Sequence, residues 1–109
     1  MMTGSLRRMS RLPRVREVEH LGEHRLRLAF SDGLVRELDF AGVVRGQGGM
    51  FEPLEEPAFF ARVAVDPVAG TIAWPNGVDL DPDVLHGDYE PASGPSPVVL
   101  KEYRLRPTT

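Results

Sequence analysis

Residues 23–40 read EHRLRLAFSDGLVRELDF, and their strand register decides the fold. Leu26, Leu28 and Phe30 alternate with Arg25, Arg27 and Ala29, and Leu34, Leu38 and Phe40 recur at even positions after the turn. This is a period-two pattern on both sides of a break, the signature of a β-hairpin with one apolar face. A two-residue Asp32-Gly33 loop would set Leu28 opposite Glu37 and bring charge onto the apolar face. A three-residue Ser31-Asp32-Gly33 loop instead sets Phe30 opposite Leu34 and Leu26 opposite Leu38. It also places Gly33 at the left-handed position that such a loop requires. The same register puts Arg27 opposite Glu37 and Arg25 opposite Asp39, each pair contributing about 0.2–1 kcal/mol.

Working outward, RVREVEHLG upstream reads as a preceding strand that turns near Gly22, with Glu19 facing Arg27. Downstream, Ala41 to Val44 form a short apolar turn and RGQGG a flexible loop. Pro57 suits the first turn of a short helix whose buried side holds Phe59, Phe60 and Val63. VAVD and TIAW, separated by PVAG, form a second hairpin pairing Val65 with Ile72 and Val63 with Trp74. Pro75-Asn76-Gly77 is turn chemistry. Asp81 then stands as a helix N-cap, Pro82 occupies the first helical position, and Asp83 complements the helix dipole. PASGPSP at 91–97 is a linker by composition, and VVLKEYRLR beyond it is a last strand, a helix or an adhesive tail. The expected architecture is α+β: a small antiparallel sheet of about five strands built from two hairpins, with two short helices. A disordered basic arm (1–13) precedes the domain (14–90), and a linker with its tail (91–109) follows it.

A chain of 109 residues holds one domain with a modest core. The absence of cysteine excludes disulfides, thiolate catalysis and cysteine-held metals. The N-terminus has no apolar stretch of the signal-peptide kind, and Arg62 interrupts AFFARVAV before it could span a bilayer, so a cytoplasmic location is expected. The net charge of −3 conceals an asymmetry. Residues 1–16 hold five arginines and no acid, whereas residues 17–100 hold five basic and 15 acidic residues, a net of −10. An acidic body repels nucleic acid and attracts basic proteins, while the ends could grip phosphates. Arg7, Arg8, Arg11 and Arg14 are the candidate phosphate contacts.

Asp79, Asp81, Asp83 and Glu90 match positions 1, 3, 5 and 12 of a calcium loop. Val84 stands where that loop needs glycine, Pro82 occupies the fourth position, and a strand precedes the segment instead of a helix. Helix capping accounts for the same aspartates better. His20 and His24 have a helical metal spacing but fall at a strand end and turn. No metal, cofactor or catalytic residue is therefore expected, and none of the GxSxG, HExxH, P-loop or GxGxxG motifs occurs. Trp74 is either a core residue whose indole N–H seeks a partner or an exposed anchor at a contact surface. In the second case Trp74, Asn76, Asp79, Asp81 and Asp83 together form a partner-binding surface.

LPRVREVEHLGEHRLRLAFSDGLVRELDF and FEPLEEPAFFARVAVDPVAGTIAWPNGVDLDPDVL, in that order, resemble the bacterial domain-of-unknown-function family 2442 over residues 13–86. The resemblance implies a compact α+β module with a small antiparallel sheet and no established enzymatic residues. It also implies encoding beside another small protein, in arrangements like toxin–antitoxin pairs. Some members join the module to a helix-turn-helix, but after Leu85 only 24 residues remain here, too few for that domain. The resulting expectation is a non-enzymatic protein-interaction module with a small basic partner, possessing sheet edges open to homodimerisation. The alternative is nucleic-acid binding through the arginine-rich termini.

Overall fold

The computed structural model describes residues 13–87 and 97–105. Strands β1 (Val15–Gly22), β2 (Arg25–Phe30) and β3 (Leu34–Asp39) form an antiparallel meander. Pairing of Leu26 with Leu38, Arg27 with Glu37 and Arg25 with Asp39 is the register of the three-residue loop. Gly33 sits at φ +92°, and its N–H donates to the Phe30 carbonyl over 3.0 Å. On the outer face Arg27 bridges two strands, reaching Glu19 on β1 and Glu37 on β3.

Three short helical segments follow: α1 (Ala41–Val44), a 3-10 helix (Gly49–Glu55) and α2 (Pro57–Phe60). The 3-10 helix occupies residues with no regular apolar period, and part of the expected loop. Pro57 opens α2 as expected. Strands β4 (Ala64–Asp66) and β5 (Thr71–Ala73) pair with Val65 opposite Ile72. They form a separate two-stranded sheet beside β1. α3 (Pro82–His86) begins on the expected proline.

The fourth strand of the large sheet, β6 (Val98–Arg104), lies antiparallel to β3. The folded unit therefore extends past residue 90, where composition placed its end. Backbone pairing with β3 fixes the segment, and the linker composition before it carries no information about that pairing. The sheet order is β1-β2-β3-β6. Among the described residues no helix is long and apolar enough to cross a membrane.

One core lies between the inner face of β1–β3 and the helical layer. Leu26, Leu28, Leu38, Phe40, Leu54, Phe60, Ile72 and Leu85 are essentially solvent-free there. Removal of this apolar surface from water is the main favourable term of folding. β6 receives little cover from that layer: every one of its residues is exposed.

Candidate functional site

The residues expected to contact a partner divide on inspection. Trp74 is 4% exposed, its ring centroid is 5.3 Å from that of Phe60, and its indole N–H donates to the Phe60 carbonyl over 2.9 Å. It is a core residue with a satisfied polar tip, which excludes the exposed-anchor reading. Asn76 is also committed to the fold: its amide donates to the Met50 carbonyl (2.8 Å) and its oxygen accepts from the Val78 N–H (3.3 Å). That tie closes the 75–77 turn onto the 3-10 helix. Asp79 and Asp81 are exposed. Asp79 forms a single β-bridge with Ala73, and the Asp81 carbonyl accepts from the Leu85 N–H at the start of α3. Asp83 lies within α3. Glu90 is outside the described residues. Among the described residues no three histidine or acidic side chains gather as metal ligands would.

Of the arginines assigned to phosphate, Arg7, Arg8 and Arg11 lie outside the described residues. Arg14 is tied down: its guanidinium donates to the carbonyls of Pro67 (2.7 Å) and Val68 (3.0 Å), and its N–H to Ser31 Oγ. It fastens the β4–β5 turn to the start of β1. The histidines are occupied too. His20 bonds the Glu23 carbonyl (2.8 Å). His24 is buried with Nε2 3.0 Å from the carbonyls of both Leu54 and Glu55, so this nitrogen must carry the proton.

Sequence reasoning missed a polar junction where the β2–β3 turn, α3 and β6 meet. Asp32 Oδ2 lies 2.8 Å from His86 Nε2 and 3.2 Å from Arg104 Nη1, and Oδ1 accepts from the Leu34 N–H at 3.1 Å. Burial opposes ionisation of Asp32, but the Leu34 N–H, His86 and Arg104 together outweigh it and hold the carboxyl below its ordinary range. Beside it Arg36, only 9% exposed and on the inner face of β3, donates from Nε to Glu102 (2.9 Å) and from Nη1 to the Leu85 carbonyl (2.7 Å). Gly87, at φ +95°, makes room for that guanidinium: a Cβ there would lie 2.7 Å from Nη1. The junction fastens β6 to the body. The partners are 49 to 72 positions apart in the chain, and no local pattern marks them.

Asp32→Asn keeps the side chain's shape and removes its charge. The expected loss near neutral pH is about 1–2 kcal/mol, typical of charge-assisted bonds at a partly exposed site. Because the folded-state carboxyl titrates below its unfolded value, the wild-type advantage is complete above about pH 4. It disappears as pH falls through the folded value. Urea midpoints for both proteins between neutral and strongly acid pH check this, and a gap that stays constant would assign the effect to shape rather than charge.

Two clefts lined with charged residues, about 340 Å³ beside Glu17, Glu19 and Arg27 and about 400 Å³ beside Glu23, Arg25 and Asp39, are the roomier concave features. A cleft of about 140 Å³ between Phe40, Val43, Leu80 and Val84 is almost wholly apolar. It is smaller than the roughly 300–1,000 Å³ usual for small-molecule sites. Among the described residues no strand pairs with the outer side of β6, where Val98, Val99, Leu100, Tyr103 and Leu105 are 39–62% exposed.

A meander flanked by short helices, extended at one edge by a strand with no neighbour on its outer side among the described residues, defines a small α+β module. Residues 15–89 match the family described as "Protein of unknown function (DUF2442)", and the chain belongs to that family. No curated protein matches it. A similar solved structure is the "Putative DNA Binding Protein NE0471" from Nitrosomonas europaea ATCC 19718, with 33% identity and a TM-score of 0.53. The similarity covers 59% of this chain and 41% of that one, so this chain spans less than half of that protein's length. β6 lies beyond the segment that matches the family.

Proposed function

We propose that this protein is a non-enzymatic protein-interaction module that works through the open edge of β6. One observation carries the reading: among the described residues β6 is an edge strand with no neighbour on its outer side, and it bears a run of exposed apolar side chains on a domain whose other apolar residues are largely buried. Exposed edges of this kind are templates for strand addition, and native proteins usually cover or blunt them. The net charge of −10 over residues 17–100 supports a basic protein partner, drawn in by long-range attraction. An antitoxin-like member of a two-gene pair fits this combination.

The test is co-expression with whatever small basic protein a neighbouring reading frame encodes. The expected result is a stoichiometric complex at low salt whose association slows as ionic strength rises. No complex at low salt would overturn the reading. A second reading, nucleic-acid binding through the arginine-rich N-terminus, draws on the name of the Nitrosomonas protein. With Arg14 engaged at the β4–β5 turn, it depends on residues 1–12 and requires DNA affinity that falls steeply with salt and vanishes when they are deleted.

A further inference from the structure

We propose that the β6 edge is closed by a second copy of this chain, in an antiparallel pairing centred on Tyr103. This rests on reading β6 as an interaction edge: the second copy takes the edge itself, and the acidic body is left to attract the basic partner.

The backbone sets the first condition. Leu105 donates its N–H to the Gly33 carbonyl, and Tyr103 lies opposite Val35 and Lys101 opposite Glu37. In an antiparallel ladder alternate residues aim their backbone groups at the same neighbour. Lys101, Tyr103 and Leu105 therefore point theirs at β3, and Glu102 and Arg104 present theirs to the open side. The pairing with β3 skips Leu100, a bulge that bends the strand there, so 101–105 is the regular part of the edge.

Charge sets the second condition. A twofold axis normal to the sheet keeps each side chain on its own face, so one residue must lie opposite itself. Centring on Lys101, Glu102 or Arg104 sets like charges against each other, which destabilises a cross-strand pair. Centring on Tyr103 sets it against the partner's Tyr103 and sets Glu102, which also holds Arg36, against the partner's Arg104, which also holds Asp32 within its own chain, twice over. Those are the residues whose N–H and C=O face outward, so each pair exchanges two backbone hydrogen bonds. Ring-on-ring contact, ion pairing and backbone pairing agree on one register. On the same face Lys101 Nζ lies 5.6 Å from the Tyr103 ring centroid, so each tyrosine already carries a cation beside it. Leu105 extends this apolar strip and would lie opposite the partner's Lys101 stem.

The chain has no cysteine, so single replacements report the register directly. Opposed residues in a non-hydrogen-bonded pair have Cα atoms about 4.5 Å apart, within disulfide reach. In the proposed register Lys101 and Leu105 are each offset from their own copies by four residues, on the order of 13 Å. Oxidised Tyr103→Cys should link into a dimer about tenfold more efficiently than Lys101→Cys or Leu105→Cys, while mixed Lys101→Cys and Leu105→Cys chains link to each other. The unmodified chain should sediment at about twice its 12.1 kDa. A monomer at every concentration, or equal linking at all three positions, overturns the proposal. A monomer that still forms the co-expressed complex overturns self-pairing alone and leaves the interaction reading standing. Selective linking at 103 without that complex supports self-pairing and removes the basic partner.

Discussion

Replacing Trp74 with alanine is expected to destabilise the domain by about 3–5 kcal/mol, the range for large-to-small changes at buried aromatics. Small domains are stable by roughly 5–15 kcal/mol in total, so a large share of the protein would unfold near physiological temperature. The magnitude follows from position. Trp74 is 4% exposed and packs tilted against Phe60, itself within aromatic contact distance of His24 and Phe40. Removing the indole leaves a cavity beside that hub that the β4–β5 hairpin cannot refill without moving. Trp74→Phe separates volume from polarity. It keeps most of the apolar contact and loses only the 2.9 Å bond to the Phe60 carbonyl, which still accepts from the Val63 N–H at 3.2 Å. A cost of about 1–2 kcal/mol is expected there. Urea unfolding followed by far-ultraviolet circular dichroism measures both, since the chain has no other tryptophan to report by fluorescence. An alanine variant as stable as wild type would restore the contact-surface reading of this residue.

Particular residues show how far the sequence could be read. The β2–β3 register was legible because its determinants are local: alternation, a glycine at φ +92° and facing charges within 14 residues. The second hairpin and the start of α3 follow from equally local chemistry at Gly70 and Pro82. The choice of a three-residue loop came from keeping charge off the apolar face, yet that register itself sets Arg36 opposite Leu28 there. A buried arginine is tolerated on that face because distant groups satisfy it. Those groups, the Leu85 carbonyl and Glu102, lie 49 and 66 residues away. The place of β6 was illegible for the same reason. A run such as VVLKEYRLR suits a strand, a helix or a tail, and only the free edge of β3 selects among them. The acidic 79–83 segment imitates an ion site in its spacing, but its local chemistry marks a helix start, and its backbone serves a bridge and that helix.

Arg36→Ala should produce the second large effect, about 3 kcal/mol, with a distribution that reveals its origin. The guanidinium has two partners, and they differ in what they lose. Glu102 is half exposed and regains water when released, so its pairing contributes little, as for surface ion pairs generally. The Leu85 carbonyl belongs to a fully buried residue at the end of α3, and an unsatisfied buried acceptor costs about 1–3 kcal/mol. Loss of the arginine's aliphatic stem from the inner face of β3 adds to that. Glu102→Gln should therefore cost well under 1 kcal/mol, and Arg36→Met, which keeps the stem, should fall between the two. Hydrogen exchange locates the damage: in Arg36→Ala the amides of α3 and β6 should lose protection first, while those of β2 stay near the global value. Because Arg36 anchors β6 from the inside through Glu102, the same variant should weaken dimer formation although Arg36 itself lies on β3, away from the open edge. Equal costs for the arginine and glutamate replacements would assign the anchoring to the ion pair instead, and β6 would then detach as salt is raised.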